Sequence, residues 1–321
     1  MRHCCVIGGS GFIGSHIVEK LTLRKKQITV IGRNALPSRK LPESVHYVPG
    51  DYGKKNFLMD VLRGVDEVIQ LAYASVPKTS FENPLSDIRY NLPATVTLFE
   101  VAGRLGIDKL VLVSSGGTVY GNATKIPILE EHPTNPISPY GITKLATEKY
   151  ALMFNELEAL PIVCVRPSNA YGDGQRPFVH QGFVATAMAS ILQQKKITVF
   201  GEPGTIRDYI HVSDVANGII AALDHGIPGA FYNIGSGVGR SNQDVLAEIF
   251  PLADAVGLQP SIKTAPPRPF DVPVNVLDST KLFKETGWKP LISFPEGINK
   301  TWQWFYEIAG GTPGKRRLPG I

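Results

Sequence analysis

Short apolar runs rich in β-branched residues punctuate the first half of the chain: Cys4–Ile7, Ile28–Ile31, Val45–Val48, Glu67–Leu71, Leu110–Val113 and Ile162–Val165. Stretches with helical spacing lie between most of them. Ile13, Ile17 and Leu21 recur at four-residue intervals behind the first run, and Asn91–Arg104 and Tyr140–Leu157 read as longer helices. Continuous apolar runs, as opposed to in–out alternation, mark strands covered on both faces. Their alternation with helices predicts a doubly wound, parallel α/β sheet of Rossmann type. Beyond about Tyr171 the pattern changes. Gly and Pro become frequent, and Tyr209–Val212 and Phe231–Ile234 read as short, isolated strands. Ser241 with Asp244 three residues on, and Asp278-Ser279 with Gly287 as a stop, predict two later helices. Residues 1–170 are therefore expected to form the first lobe. Residues 171–309 form a smaller mixed α/β lobe interleaved with its end, and the Gly/Pro/basic segment 310–321 a mobile tail.

Length supports two lobes, since 321 residues are many for one core. Hydrophobic content of 43% and charged content of 19% are ordinary for a globular protein. No apolar run approaches the roughly 18 residues that span a bilayer, and Arg2-His3 lead straight into a strand without a secretory signal. Cys4, Cys5 and Cys164 all fall in strand-like runs, which fits reduced core thiols and a cytoplasmic location. The net charge of +5 suits an anionic ligand, but no basic stripe interleaved with aromatics suggests nucleic acid.

Gly8-x-x-Gly11-x-x-Gly14 follows one strand and opens one helix. Glycines at this spacing permit a tight turn, close approach of backbone to a pyrophosphate, and close helix–strand packing. The first helical N–H groups, at Phe12 and Ile13, then face the phosphates together with the positive end of the helix dipole. This arrangement predicts a nicotinamide dinucleotide, NAD or NADP. An NAD-selective site usually carries an acidic side chain at the tip of the second strand, where this chain has Gly32, Arg33 and Asn34. Without a carboxylate to repel it, a 2′-phosphate could pair with the Arg33 guanidinium; NAD held by backbone contacts accounts for the residues equally well. Asp51, beside Tyr52, is a candidate partner for the adenine amino group.

Tyr140 and Lys144 are one helical turn apart and share a helix face. A free tyrosine, with a pKa of roughly 10, is a poor base at neutral pH. A neighbouring ammonium and the positive nicotinamide ring both favour its phenolate, which can then accept a hydroxyl proton as hydride leaves the same carbon. A Gly-x-Ser-x-Gly elbow, a nucleotide-triphosphate phosphate loop and histidines at metal-ligand spacing are all missing from the sequence.

With these motifs in family order, the chain resembles the extended short-chain dehydrogenase/reductase family, specifically the nucleotide-sugar epimerases and their dehydratase and reductase relatives. The landmarks are GGSGFIGSHIV, GDY, QLAYASV, SSGGTVYG, SPYGITK, RPSNAYGDGQ, RDYIHVSDVA, YNIGSG and RPFDV, and the likeness extends to about Tyr306. It implies that Leu71, Ala72, Tyr73, Asn91 and Pro167 line the dinucleotide. It also implies that Asn169, Arg207 and Arg268 hold a substrate diphosphate, Asp271 the nucleotide ribose, and Thr198 to Phe200 a uracil, with Gln181 nearby. A homodimer through a four-helix bundle of Asn91–Arg104 and Tyr140–Leu157 is a further implication.

Three departures stand out. The family's catalytic Ser or Thr position holds Gly116, flanked by Ser115 and Thr118, either of which could hydrogen-bond the reacting hydroxyl. Gly117-Thr118 replaces the dehydratase acid pair. Asn275 stands where galactose epimerases place Tyr or Cys opposite the sugar, which predicts room for a C2 N-acetyl group or a C6 carboxylate. The leading expectation is a UDP-hexose 4-epimerase working through a transient 4-keto sugar. An NADP-dependent reductase of a nucleotide-linked keto sugar is the alternative, and a weakly catalytic dinucleotide sensor is a third.

Overall fold

The computed structural model describes residues 1–179, 181–202, 204–268 and 271–310. The first half runs β1 (His3–Ile7), α1 (Phe12–Leu23), β2 (Gln27–Gly32), β3 (Val45–Pro49), α2 (Lys55–Val61) and β4 (Glu67–Gln70). Then come α3 (Pro77–Glu82), α4 (Pro84–Leu105), β5 (Lys109–Val113), α5 (Pro139–Glu158) and β6 (Ile162–Pro167). The second half continues with β7 (Asn169–Tyr171), α6 (Phe183–Leu192), β8 (Ile197–Phe200), β9 (Ile206–His211), α7 (Val212–His225) and β10 (Phe231–Ile234). It closes with β11 (Gly239–Arg240), α8 (Asn242–Asp254), β12 (Ile262–Ala265), β13 (Val274–Asn275), α9 (Thr280–Thr286) and α10 (Phe294–Ile308).

All strand pairs of the main sheet are parallel, in the order β10-β6-β5-β4-β1-β2-β3. Val6 of β1 registers with Val30 on one side and Ile69 on the other. The chain reverses direction across the sheet at β1, so a crevice opens at the carboxyl ends of β1 and β4 where a ligand can enter. Helices cover both faces. One face buries Val6, Ile17, Leu21, Ile69 and Val111, and the other Cys5, Ile7, Leu98, Phe99 and Leu110. The cysteines are fully inside and unbridged, and burial pushes the Cys5 thiol up to about 12.

Two expectations, the isolation of Phe231–Ile234 and the start of the helix expected at Asn91, need correction. Phe231–Ile234 is no isolated strand: β10 extends the main sheet beside β6. Helix α7 also belongs to the first core, where Val215, Ile219 and Leu223 pack with Trp288. The first core therefore draws on the chain well past Tyr171. Helix α4 starts at Pro84, ahead of the expected Asn91; Asn83 caps it by accepting from the Ser86 N–H at 3.0 Å. Its first turns expose Leu85 and Ile88, so no buried stripe marks them in the sequence.

The second lobe has its own core of Tyr171, Met188, Tyr209, Ile249, Phe294 and Trp302. Strand β9 pairs with β7, β11 and β13, while β8 pairs with β12. Helix α8 starts at the expected Ser241–Asp244 capping box. Among the described residues no helix is long and apolar enough to cross a membrane. Residues 311–321, nearly all of the expected mobile tail, lie outside the described residues.

Candidate active site

The glycine turn is built as the motif requires. Gly8 leaves β1 with φ +87°, and its N–H donates to the Ile31 carbonyl at 2.8 Å. A Cβ on Gly14 would fall 2.3 Å from the Gly8 carbonyl oxygen, and one on Gly11 3.1 Å from the same atom. Gly11 leads into α1 with no side chain capping the helix, so the first-turn N–H groups remain for a ligand. A phosphate cradle empty of side chains fits a dinucleotide pyrophosphate.

At the tip of β2 a Cβ on Gly32 would lie 2.5 Å from the Tyr47 phenol oxygen. Tyr47, which donates to the Asn34 carbonyl at 2.7 Å, thus fills the space of the missing acidic side chain. Arg33 and Asn34 are exposed. Asp51, also exposed, accepts from the Gly53 N–H at 2.9 Å. Tyr52 is buried, with its hydroxyl 3.4 Å from the Ala72 carbonyl it donates to.

Helix α5 presents Tyr140 and Lys144. Ser138 caps it by accepting from the Gly141 N–H at 3.1 Å, Pro139 takes the first helical position, and the Tyr140 N–H donates to Ser80 at 3.1 Å. Lys144 is buried and donates from Nζ to the Val113 carbonyl at 2.8 Å. Burial lowers its pKa to about 7, against the opposing carboxylates of Glu148 and Asp87. Burial likewise pushes the Tyr140 phenol above its ordinary range, and a hydrogen bond with Ser115 pulls it back.

A cavity of about 390 Å³ joins the two ends of the site. Of the residues singled out in the sequence, Phe12, Ile13, Leu71, Tyr73, Ser115, Tyr140, Lys144, Pro167, Asn169 and Gln181 all line it. Ser115 lines the cavity together with Tyr140, whereas the buried Thr118 hydroxyl finds no hydrogen-bond partner and stands off the wall. A Cβ at Gly116 would sit 2.4 Å from Leu277 Cδ1 and 2.8 Å from the Arg166 carbonyl, so this backbone has no room for a side chain there.

Two expected wall residues stand behind the wall. Asn91 is buried, accepting from the Ala74 N–H and donating to the Asp87 carbonyl, both at 2.8 Å, which anchors the 71–76 loop. Asn275 is buried and donates to the Gly116 carbonyl at 3.0 Å; it backs the 115–118 turn, and its size says little about the sugar. Ala72 packs its backbone under Gly8.

Sequence reasoning missed Ser10, Ser38, Arg39, Gln175, Arg176 and Tyr209 on the cavity wall. Arg39 donates to the Gly174 carbonyl and stands 6.0 Å over the Phe12 ring, tying the loop after β2 to the loop after β7. Its neighbours Pro37 and Ser38 carry no periodic pattern, so the only sequence signal is a cation in the loop after β2.

In the second lobe, Arg207 lies two residues along β9 from Tyr209 on the cavity wall. Arg268 donates from Nε to Asp271 at 2.8 Å and stands 4.5 Å over the Phe200 ring. Burial and the neighbouring Arg268 both disfavour the Arg207 cation, which nearby Asp271 partly offsets. Two cations gathered so closely fit a diphosphate. Thr198 is exposed on β8. Among the described residues no cluster of three His, Cys, Asp or Glu groups could hold a metal ion.

A Rossmann cradle, a Tyr/Lys pair on one helix face and a cationic second lobe are what a dinucleotide-dependent enzyme of a phosphorylated substrate requires. The model of the NAD dependent epimerase/dehydratase family matches residues 4–235, and the chain belongs to that family, as an enzyme of the extended short-chain dehydrogenase/reductase type. It is 33% identical over 310 residues to the UDP-glucose 4-epimerase of Mycolicibacterium smegmatis, covering 94% of this chain and 97% of that one. The Thermus thermophilus UDP-glucose 4-epimerase, solved in complex with NAD, is 34% identical with a TM-score of 0.88, covering 95% of this chain and 99% of that one. The Thermotoga maritima UDP-glucose 4-epimerase with UDP-glucose is 29% identical with a TM-score of 0.89, over the same 95% and 99%. NAD is the cofactor of the family, and the cradle at Gly8, Gly11 and Gly14 fits it.

Proposed function

We propose that the chain interconverts UDP-hexoses by inverting C4. The observation that carries this reading is that Tyr140, Ser115, Lys144 and Asn169 line one cavity. Arg207 and Arg268, two residues and one loop away, would fix the diphosphate, with Phe200 and Asp271 beside the nucleoside. Bound NAD supplies a reversible hydride acceptor for C4. Tyr140 takes the C4 hydroxyl proton and holds it while the sugar carbon is a carbonyl. Ser115 hydrogen-bonds that oxygen, and Lys144 lowers the cost of the phenolate. The keto sugar turns within the cavity, and Tyr140 returns the proton once the other face is presented. No proton or hydride is lost to solvent, so the reaction needs no added reductant. Relatives bearing the name UDP-glucose 4-epimerase support this reading over a net reductase.

The test is incubation of the purified chain and NAD with UDP-glucose or UDP-galactose, followed by separation of the nucleotide sugars. Approach to one mixture from both sides is expected. A dehydrated product, or consumption of NADPH with a keto sugar and no exchange, would overturn the reading.

We also propose that two copies pair through α4 and α5. Leu85 and Ile88 on α4, and Ile142, Tyr150, Met153 and Leu157 on α5, are all exposed apolar side chains. The four on α5 fall at helical spacing along one face.

A further inference from the structure

Behind the catalytic pair stands a second tyrosine. The Lys144 ammonium lies 4.0 Å from the centroid of the Tyr73 ring, closer than its 5.8 Å from the Tyr140 ring. The two tyrosine rings meet edge-on, centroids 4.9 Å apart and planes at 70°. Nζ also donates to the Val113 carbonyl at 2.8 Å, so the lysine is held from two sides, by a carbonyl of β5 and by an aromatic face at the end of β4. Both the lysine and the tyrosine line the cavity.

We propose that Tyr73 is a positioning residue for Lys144, its ring face holding the ammonium charged and aimed at the Tyr140 phenol. An ammonium over an aromatic face is attracted by the negative π cloud, most strongly where water is excluded. Lys144 is such a place, only 3% exposed. Around it stand Tyr140 and Glu148 of α5, Asp87 of α4, and Tyr73 itself. Asp87 is fully engaged only at Oδ1, with Ser75 and Asn91, while its Oδ2 is buried without a partner. Glu148 is committed to Arg166 through two hydrogen bonds at 3.0 and 2.7 Å. Glu148 is thus shared with a second cation, and the aromatic face offsets desolvation at the lysine directly.

The consequence for chemistry follows from counting protons. Passing the Tyr140 proton to Lys144 leaves the total bound unchanged, so among molecules holding that one proton the share with a phenolate beside an ammonium depends on the two proton affinities and not on pH. Anything that raises the proton affinity of Lys144 raises that share. Tyr73 does so without adding a second negative charge that would repel the phenolate. Tyr73 acts here through Lys144, and so depends on the lysine serving Tyr140 as proposed above.

The test titrates Lys144 directly in the full chain with NAD bound, by NMR of 13Cε-labelled lysine, with Lys144→Met identifying the resonance. Tyr73→Phe, which keeps the face, should leave the midpoint within about 0.3 unit. Tyr73→Leu and Tyr73→Met, which keep an apolar filling and remove the face, should lower it by about one unit, a tenfold loss of proton affinity. The turnover number should fall by roughly the same tenfold factor with KM unchanged, and recover in Tyr73→Phe. An unmoved or raised midpoint in both apolar variants overturns the proposal, as does a shift in Tyr73→Phe equal to theirs. If Tyr73→Leu fails to fold, Tyr73→Met carries the same decision. The NMR midpoint needs no substrate, so failure of the UDP-hexose reading would show separately, as absent turnover with the predicted midpoints intact.

Discussion

Gly14 turns its α-carbon onto the carbonyl of Gly8 so closely that a methyl group there would lie 2.3 Å from the oxygen. The neighbouring Gly9 α-carbon would be 2.7 Å away, so neither contact is with a side chain that could swing aside. Gly14→Ala must therefore push α1 off the end of β1 and spoil the aim of its first N–H groups. Affinity for NAD, read by quenching of tryptophan fluorescence, should fall by about a hundredfold, or roughly 2.7 kcal/mol. Stability should fall by about 1–3 kcal/mol, as for other forced overpacking.

Ser115 and Thr118 separate cleanly in the structure, and their variants should do the same. Ser115→Ala removes the hydroxyl that shares the cavity wall with Tyr140, and turnover should drop by roughly ten- to a hundredfold, the range for losing one hydrogen bond to a charged group. Thr118→Val is nearly isosteric and deletes a buried hydroxyl that has no partner. Turnover should stay within about twofold, with stability unchanged or higher by about 1 kcal/mol. Equal losses in the two variants would return the assignment to its starting point.

The glycine turn and the Tyr140/Lys144 pair are legible in the sequence because each is contiguous: one on a strand, turn and helix, the other on one helix face. The parallel strands are legible for a related reason, since burial on both faces writes unbroken apolar runs. The opposite wall of the cavity is not. Arg39 and Arg176 sit in Pro- and Gly-containing loops, where spacing carries no information about direction. Asn91 and Asn275 occupy positions that the resemblance assigns to ligand walls, yet here the Asn91 amide bonds Ala74 and Asp87 and the Asn275 amide nitrogen bonds Gly116. Strand β10 misleads for a different reason. Four residues between a loop and a glycine-rich turn give no sign of which sheet they will extend, and only pairing with β6 decides it.

Lys144 also links stability to pH. Its pKa falls from 10.5 in the unfolded chain to about 7 in the folded, cofactor-free protein. Below 7 both states are protonated and the folded chain bears the full cost of the buried charge. Between 7 and 10.5 the unfolded state binds more protons, so this contribution to stability rises with pH, by at most about 1.4 kcal/mol per unit. The buried cysteines work against it at the alkaline end: their thiols are raised above 9.0 when folded, so the unfolded chain loses those protons first. Comparing wild type with Lys144→Met by urea unfolding cancels the cysteines. The stability advantage of Lys144→Met should be greatest near pH 7 and shrink steadily towards pH 9.5; a constant difference would mean that Lys144 does not titrate in this window.

The exposed apolar face of α4 and α5 makes the last prediction. Leu157 is 77% exposed and Leu85 61%, on two helices that pack against each other. One such side chain on a surface is unremarkable, but several on two neighbouring helices together point to an interface. A two-fold pairing would bring both helices of each copy together and bury the stripe from Ile142 to Leu157. Sedimentation velocity of the wild type at micromolar concentration should give twice the 34.9 kDa chain mass. Met153→Arg, placed at mid-stripe and away from the cavity lining, should shift the species to monomer while the far-ultraviolet circular dichroism stays unchanged. A wild type that sediments as a monomer would remove the dimer, and a dimeric Met153→Arg would move the interface elsewhere.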